Sequence, residues 1–296
     1  MAAQARTQKK KNQTKTPEKK SQPETGIRAR RFDVDYTEVA GEPPLEKNWA
    51  DGNTFLTHWL NAYTMTIPGG EAMIVQTIEE FMDQIDDPAL KKTAQGLIGQ
   101  ELSHSRGHKQ FIEVLERQGF STRFYSGITN FLSYRILEPT STPLQRLAFI
   151  VGVERINELF AEITLESGKL RSAPPKIRAL YEWHLAEEIE HKSVVFDVYH
   201  KISGSRFWLG YGIIMSYLVN MGYLALACAS FLWQDRALFR WKTWAQAWRY
   251  FFREERFLPR MTSGCWAALK KGFHPSATDN RELAEHVLSR RVITAV

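Results

Sequence analysis

Cysteine is almost absent from this chain. Its two residues, Cys228 and Cys265 in 296, cannot build a disulfide framework or a Cys-based zinc site, and Cys228 sits inside an apolar run, which fits a reducing compartment. A Gly-rich phosphate loop, a GxSxG elbow and an HExxH pair are missing as well, so nucleotide-driven, serine-hydrolase and zincin chemistry find no support. No stretch alternates apolar and polar residues between turn signals and no segment repeats itself, so neither a sheet nor a solenoid is expected. The first 26 residues lack large apolar side chains almost entirely. Rich in Lys, Gln and Thr, they cannot bury enough surface to offset chain entropy. Without an apolar h-region or Arg-rich amphipathic periodicity they read as neither a secretory signal nor a transit peptide.

The net charge of +6 is unevenly placed: residues 1–31 carry ten Lys or Arg against Glu18 and Glu24, which is +8, and the remainder sums to −2. Residues 1–31 are therefore expected as a disordered basic tail. The mildly acidic remainder has no reading motif, so no specific nucleic acid is expected as a partner, and contact through the tail would be salt-sensitive. With 43% hydrophobic and 24% charged residues, the rest can bury a sizeable core.

Turn signals and apolar periodicity predict a short helix near 53–63, ended by Pro68-Gly69-Gly70, then four longer helices near 71–85, 88–118, 143–167 and 174–202. Proline opens three of them at a first-turn position, with Thr142, Asp87 and Asp86 as caps. Residues 207–233 carry no formal charge. As one helix they would extend about 40 Å, enough to cross a bilayer core with tilt. Trp208, Tyr211, Phe231 and Trp233 near its ends suit an interface, whereas Asn220 and three glycines lower its hydrophobicity. Such a helix could also be covered in a homodimer. The expected organisation is a tail over 1–31, a di-metal helical bundle over 32–204, an apolar membrane-type helix over 205–235 and a basic, Trp-rich helical segment over 236–296, with the bundle on the cytoplasmic side of a membrane.

The chemistry-bearing feature is a pair of Glu-x-x-His motifs, Glu101 with His104 and Glu188 with His191, on two different predicted helices. A spacing of three puts carboxylate and imidazole side by side on one helical face. Leu90, Ala94, Leu97, Glu101, His104, His108 and Leu115 fall in one stripe, as do Ile177, His184, Glu188, His191, Val195 and Val198, and as do Leu147, Glu154, Glu158, Ala161 and Leu165. Carboxylates on core-facing stripes are costly unless paired or bound to a cation. With Glu71 at the start of the first long helix, the order Glu, ExxH, Glu, ExxH is the pattern by which ferritin-like four-helix bundles hold two iron or manganese ions. Arg106, Arg155 and Arg178 are the partners for a metal-free alternative of buried ion pairs. The all-α candidate site is thus Glu71, Glu101, His104, Glu154, Glu188 and His191, with two Fe ions as cofactor, or Mn, or a mixed pair. His108, Glu158, Glu187 and Asn157 are expected to orient these ligands. His58, His200 and His286 read as surface or packing residues, and the place of His274 is open.

His184, one turn before Glu188, adds a seventh candidate. The His-x-x-x-Glu-x-x-His run resembles the p-aminobenzoate N-oxygenase type of di-iron enzyme, in which an extra histidine joins the six ligands. The gaps agree: 30 residues from Glu71 to Glu101, 50 from His104 to Glu154 and 30 from Glu154 to His184. Over roughly residues 55–285 the chain also resembles the bacterial family of predicted metal-dependent hydrolases. Pro68-Gly69-Gly70-Glu71, Gln100-Glu101-Leu102-Ser103-His104 with His108, the run from Trp183 to Lys192, Val195-Phe196-Asp197-Val198-Tyr199 and Gly272-Phe273-His274-Pro275 carry that resemblance. It departs at Arg155, where the family pattern has His. The expected function is a membrane-associated di-iron oxidase or oxygenase acting on a lipophilic or aromatic small molecule, with an unidentified electron donor. Hydrolysis at the same two-metal site and non-enzymatic ferritin-like metal binding are the alternatives.

Overall fold

In the computed structural model the chain is described at residues 27, 30–32, 45–289 and 293–295. The tail expected over 1–31 lies outside the described residues except at Ile27, Arg30 and Arg31. The class is all-α. Among the described residues the only strand pairing is antiparallel, β1 (Arg30–Phe32) with β2 (Ile293–Ala295).

Helix α1 (Thr54–Phe81) starts where the Asn53 side chain accepts from the Leu56 amide. It runs without interruption through Pro68-Gly69-Gly70, where the sequence pattern predicts a break. Pro68 forgoes one backbone bond, but the buried positions Tyr63, Ile67, Glu71, Ile74 and Ile78 continue across it, and their packing holds the helix together. Helix α2 (Pro88–Arg117) is capped by Asp87, as expected. A π-helical segment (Phe131–Leu137) links α3 (Arg123–Asn130) to α4 (Glu138–Thr140). Helix α5 (Pro143–Ser167) opens with a capping box between Thr142 and Gln145 and stops at Gly168, whose φ of 64° is left-handed.

The helix predicted over 174–202 is two: α6 (Pro175–His191) and α7 (Val194–Ile202). At the break, the buried Lys192 amine donates to the Thr278 carbonyl and Asn280 Oδ1, each at 2.6 Å, so the turn ties the C-terminal segment to the core. Arg155 completes this anchor. It pairs with Glu158, donates to the Gly264 carbonyl and stands over the Phe273 ring at 5.1 Å.

Helices α1, α2, α5 and α6 enclose the centre described below. Arg146 near the start of α5 pairs with Glu80 near the end of α1, so these two are antiparallel. Helix α8 (Arg206–Gln234) lies parallel to α5 at backbone contact. A Cβ on Gly212 would come 2.1 Å from the Ala148 carbonyl oxygen, and one on Gly152 would come 2.0 Å from Ser216 Oγ. At its far end α8 meets the start of α1, where Phe231 stacks on His58 and Asp235 accepts from it. Helices α9 (Trp241–Trp248), α10 (Phe257–Ala268) and α11 (Arg281–Leu288) follow.

Candidate metal centre

Four helices each deliver buried carboxylates or imidazoles to one point: Glu71 from α1, Glu101 and His104 from α2, Glu154 from α5, and His184, Glu188 and His191 from α6. None is more than 2% exposed. Two sets of four have ligand atoms all within 4.8 Å of one another: Glu71, His104, His184 and Glu188, and Glu101, His104, Glu188 and His191. The distances show how the sets adjoin. Glu101 Oε2 lies 3.6 Å from His104 Nδ1 while its Oε1 lies 3.5 Å from His191 Nε2. Glu188 does the same, with Oε1 2.6 Å from His184 Nε2 and Oε2 3.7 Å from His191 Nε2. Both carboxylates thus span two poles. Glu71 Oε1 belongs to one pole, 3.6 Å from His104 and 3.5 Å from His184. Glu154 stands at the other, its Oε2 accepting from His191 Nδ1 at 2.9 Å. It lies outside both four-residue sets.

The tautomers follow from the outer hydrogen bonds. Tyr181 donates to the Leu60 carbonyl at 2.7 Å, so its oxygen accepts from Thr64 at 2.5 Å. Thr64 in turn accepts from His108 Nδ1–H at 3.1 Å, which leaves His108 Nε2 to accept from His184 Nδ1–H at 2.7 Å. The chain is directed from one end to the other, and it leaves a lone pair on His184 Nε2 facing carboxylate oxygens. His104 donates through Nε2 to Glu187 at 2.8 Å and turns Nδ1 inward. His191 donates to Glu154 and turns Nε2 inward.

Three imidazole lone pairs facing four carboxylates repel unless protons or cations lie between them. The titration behaviour of the clustered side chains reflects this. Burial, together with Glu101, Glu188 and Glu154, pushes Glu71 well above the carboxylate range despite His104, and Glu188 moves the same way. Burial alone would lower His191, but Glu154, Glu188 and Glu101 overcome it and push the ring up to about 10. His184 goes the other way, kept neutral by burial and by His104, His108 and His191. Among the described residues, both oxygens of Glu71 and of Glu101, with His104 Nδ1, Glu154 Oε1, Glu188 Oε2 and His191 Nε2, find no hydrogen-bond partner. Such a cluster of unsatisfied donor atoms fits a cation site. Four carboxylates and neutral imidazoles would also balance two divalent ions in charge.

The surrounding residues divide. His108 holds His184, Glu187 holds His104, and Asn157 reaches Glu188 Oε1 at 3.4 Å. Glu158 instead engages Arg155 and Lys192. His274 pairs with Asp197 at the surface, 2.9 Å away, with no contact to the centre. His58 is fully buried against Asp235, and His200 packs on Phe196. Three contributors have no expectation attached to them in the sequence. Thr64 and Tyr181 carry the relay, Thr64 lying seven residues, about two turns, before Glu71 and Tyr181 three residues, about one turn, before His184. Arg30 donates to Glu187 at 2.9 Å and pairs with Glu190. Burial alone would raise the Glu187 carboxyl, but its partners His104 and Arg30 outweigh burial and hold it below the usual carboxylate range. Nothing in a Lys- and Arg-rich stretch singles out Arg30.

A family model described as predicted metal-dependent hydrolase matches residues 28–279 of this chain. No curated protein and no solved structure matches it.

Proposed function

As the chain belongs to the predicted metal-dependent hydrolase family, we propose that its buried Glu and His cluster is a di-iron centre of ferritin-like type, serving a membrane-associated oxidase or oxygenase. The observation that carries this reading is the two-pole arrangement, in which Glu101 and Glu188 each offer one oxygen to either side. Glu71, His104 and His184 would hold one ion, and His191 with Glu154 the other. A hard, carboxylate-rich donor set with imidazoles suits iron or manganese. Two irons held there would supply the redox chemistry for reducing dioxygen and oxidising a C–H or amine group, with an external electron donor. The protein's own part is to fix the donors. The relay from Leu60 to His184 and the Glu187–His104 bond hold the rings in the tautomers a cation needs, and burial excludes water.

Membrane contact is supported by α8, which is long and apolar enough to cross a bilayer, and by the surface beside it. Because α8 packs along α5 and α1, we read it as part of the helical body, presenting one apolar face to lipid. The unit over 32–204 would carry the chemistry, the helix over 205–235 that face, and 236–296 the interfacial flank. Trp241, Trp244 and Trp248 are half-exposed or more, and residues 236–253 hold five Lys or Arg and no carboxylate, which suits anionic headgroups.

The family description favours a second reading, hydrolysis of an ester or amide at the same ions. Protein loaded anaerobically with Fe(II) and then exposed to oxygen separates the two. An oxygen-dependent absorption change, with oxygen uptake on a lipid extract, is expected. No such change, together with turnover of ester substrates under argon, would establish the hydrolase instead.

A further inference from the structure

A second site lies across α1 from the metal centre. Between α1, the stretch from α3 through the π-helical segment, α5 and α8 there is a cavity of about 350 Å³, within the range that holds small ligands. None of the seven centre residues lines it. At 100° per residue, Gly69, Met73 and Gln76 of its wall stand on the face of α1 opposite Glu71, Ile74 and Ile78, so the helix separates the two.

Several sequence features that the centre does not use converge on this cavity. Gly69 and Gly70 lie inside a helix, where glycine is unfavourable, yet both line the wall, and a Cβ on either would meet nothing within 4 Å. They leave space that larger residues would fill. Asn220, the polar interruption of the apolar helix, also lies on the wall, beside Met215 and Val219. Methionines from two helices, Met65 and Met73 on α1 and Met215 on α8, give a soft apolar lining that adapts to a flexible ligand. Lys109 and Arg146 add cations and Glu80 and Glu138 carboxylates; Glu80 engages Arg146 at 2.8 Å.

The rim shows where a ligand would enter. Tyr134 and Tyr211 both line the cavity and are exposed, at 46% and 36%. Outside them the surface stays apolar, with Phe131 and Ile136 on the π-helical side and Ile214 and Leu218 on the α8 side, all exposed. Exposed apolar side chains on both elements that form the mouth suit a molecule that arrives from lipid.

We propose that this cavity binds the acyl chain of a single-chain anionic amphiphile, of the fatty-acid class, entering past Tyr134 and Tyr211. The carboxylate stays with Lys109 or Arg146 and the chain lies along Gly69, Gly70 and the methionines. The site stands apart from the metal reading and does not depend on it. The test is fluorescence titration of the full-length protein with dansyl-labelled undecanoic acid, displaced by dodecanoate, in the wild type, Gly69→Leu and Val219→Trp. One saturable equivalent is expected in the wild type, and at least tenfold weaker binding in each variant, with metal content and thermal melting unchanged. Absence of saturable binding in the wild type, or wild-type affinity in both folded variants, overturns the proposal. Metal analysis of the same samples reports separately on the centre, so the two ideas fail independently.

Discussion

At the scale of single residues, the centre is defined as much by what points away from it as by what points in. His184 can offer a lone pair because His108, Thr64 and Tyr181 pass a directed chain of hydrogen bonds to one backbone carbonyl. Replacing His108 by Phe removes the acceptor for His184 Nδ1–H and frees the ring to turn. Metal affinity should fall roughly 10- to 100-fold, measured by chelator competition, and His108→Asn should recover part of it. Equal affinity in all three proteins would mean that the relay does not position His184. Titration offers a second check. In the metal-free protein Glu71, Glu188, His104 and His191 all hold protons above their ordinary ranges. That contribution to stability is complete below the unfolded-state values and is lost as pH rises through the folded-state ones. Cations compete with the same protons. The rise in melting temperature on metal addition should therefore be larger near about pH 8 than near about pH 6, as read by scanning calorimetry. The residues legible in the sequence here are those with a motif spacing, and His108, Glu187 and Asn157 as their stripe neighbours. Arg30 was not legible, because its role depends on where a distant strand lies over α6.

At the scale of elements, capping chemistry places boundaries well: Asp87 and Thr142 start α2 and α5 where their side chains predict. Pro68-Gly69-Gly70 misleads because local propensity there is overridden by the buried stripe of α1, and because the glycines face open space. The break between α6 and α7 is invisible in the periodicity, since it depends on Lys192 meeting Thr278 and Asn280 more than 80 residues away. The closest helix contact, α5 with α8, gives a sharp prediction. Gly212→Val would drive a side chain into the Ala148 carbonyl and should cost about 3 kcal/mol by overpacking, seen as a lowered denaturation midpoint. Gly210→Ala, whose Cβ would meet only Leu269 Cδ2 at 4.0 Å, should leave that midpoint unchanged or raised. Equal midpoints for the two variants would show that α8 is not seated on α5 in solution.

At the scale of the whole molecule, the buried Glu and His cluster and an apolar outer helix belong to one packed body. The sequence separates them into a bundle and a membrane-type segment because charge disappears over 207–233; packing joins them again through Gly152 and Gly212. Binding to a bilayer should then be of the surface kind. The protein should sediment with anionic phosphatidylglycerol vesicles and be released by salt, since screening weakens the contribution of the basic flank. Resistance to both high salt and carbonate extraction would indicate a spanning helix instead. The central claim remains that seven buried side chains hold two metal ions. Its most direct test is elemental analysis of the purified protein beside Glu188→Ala, which removes a carboxylate shared by both poles. The account predicts two transition-metal ions per chain in the wild type and fewer than one in the variant; full metal occupancy in Glu188→Ala would contradict it.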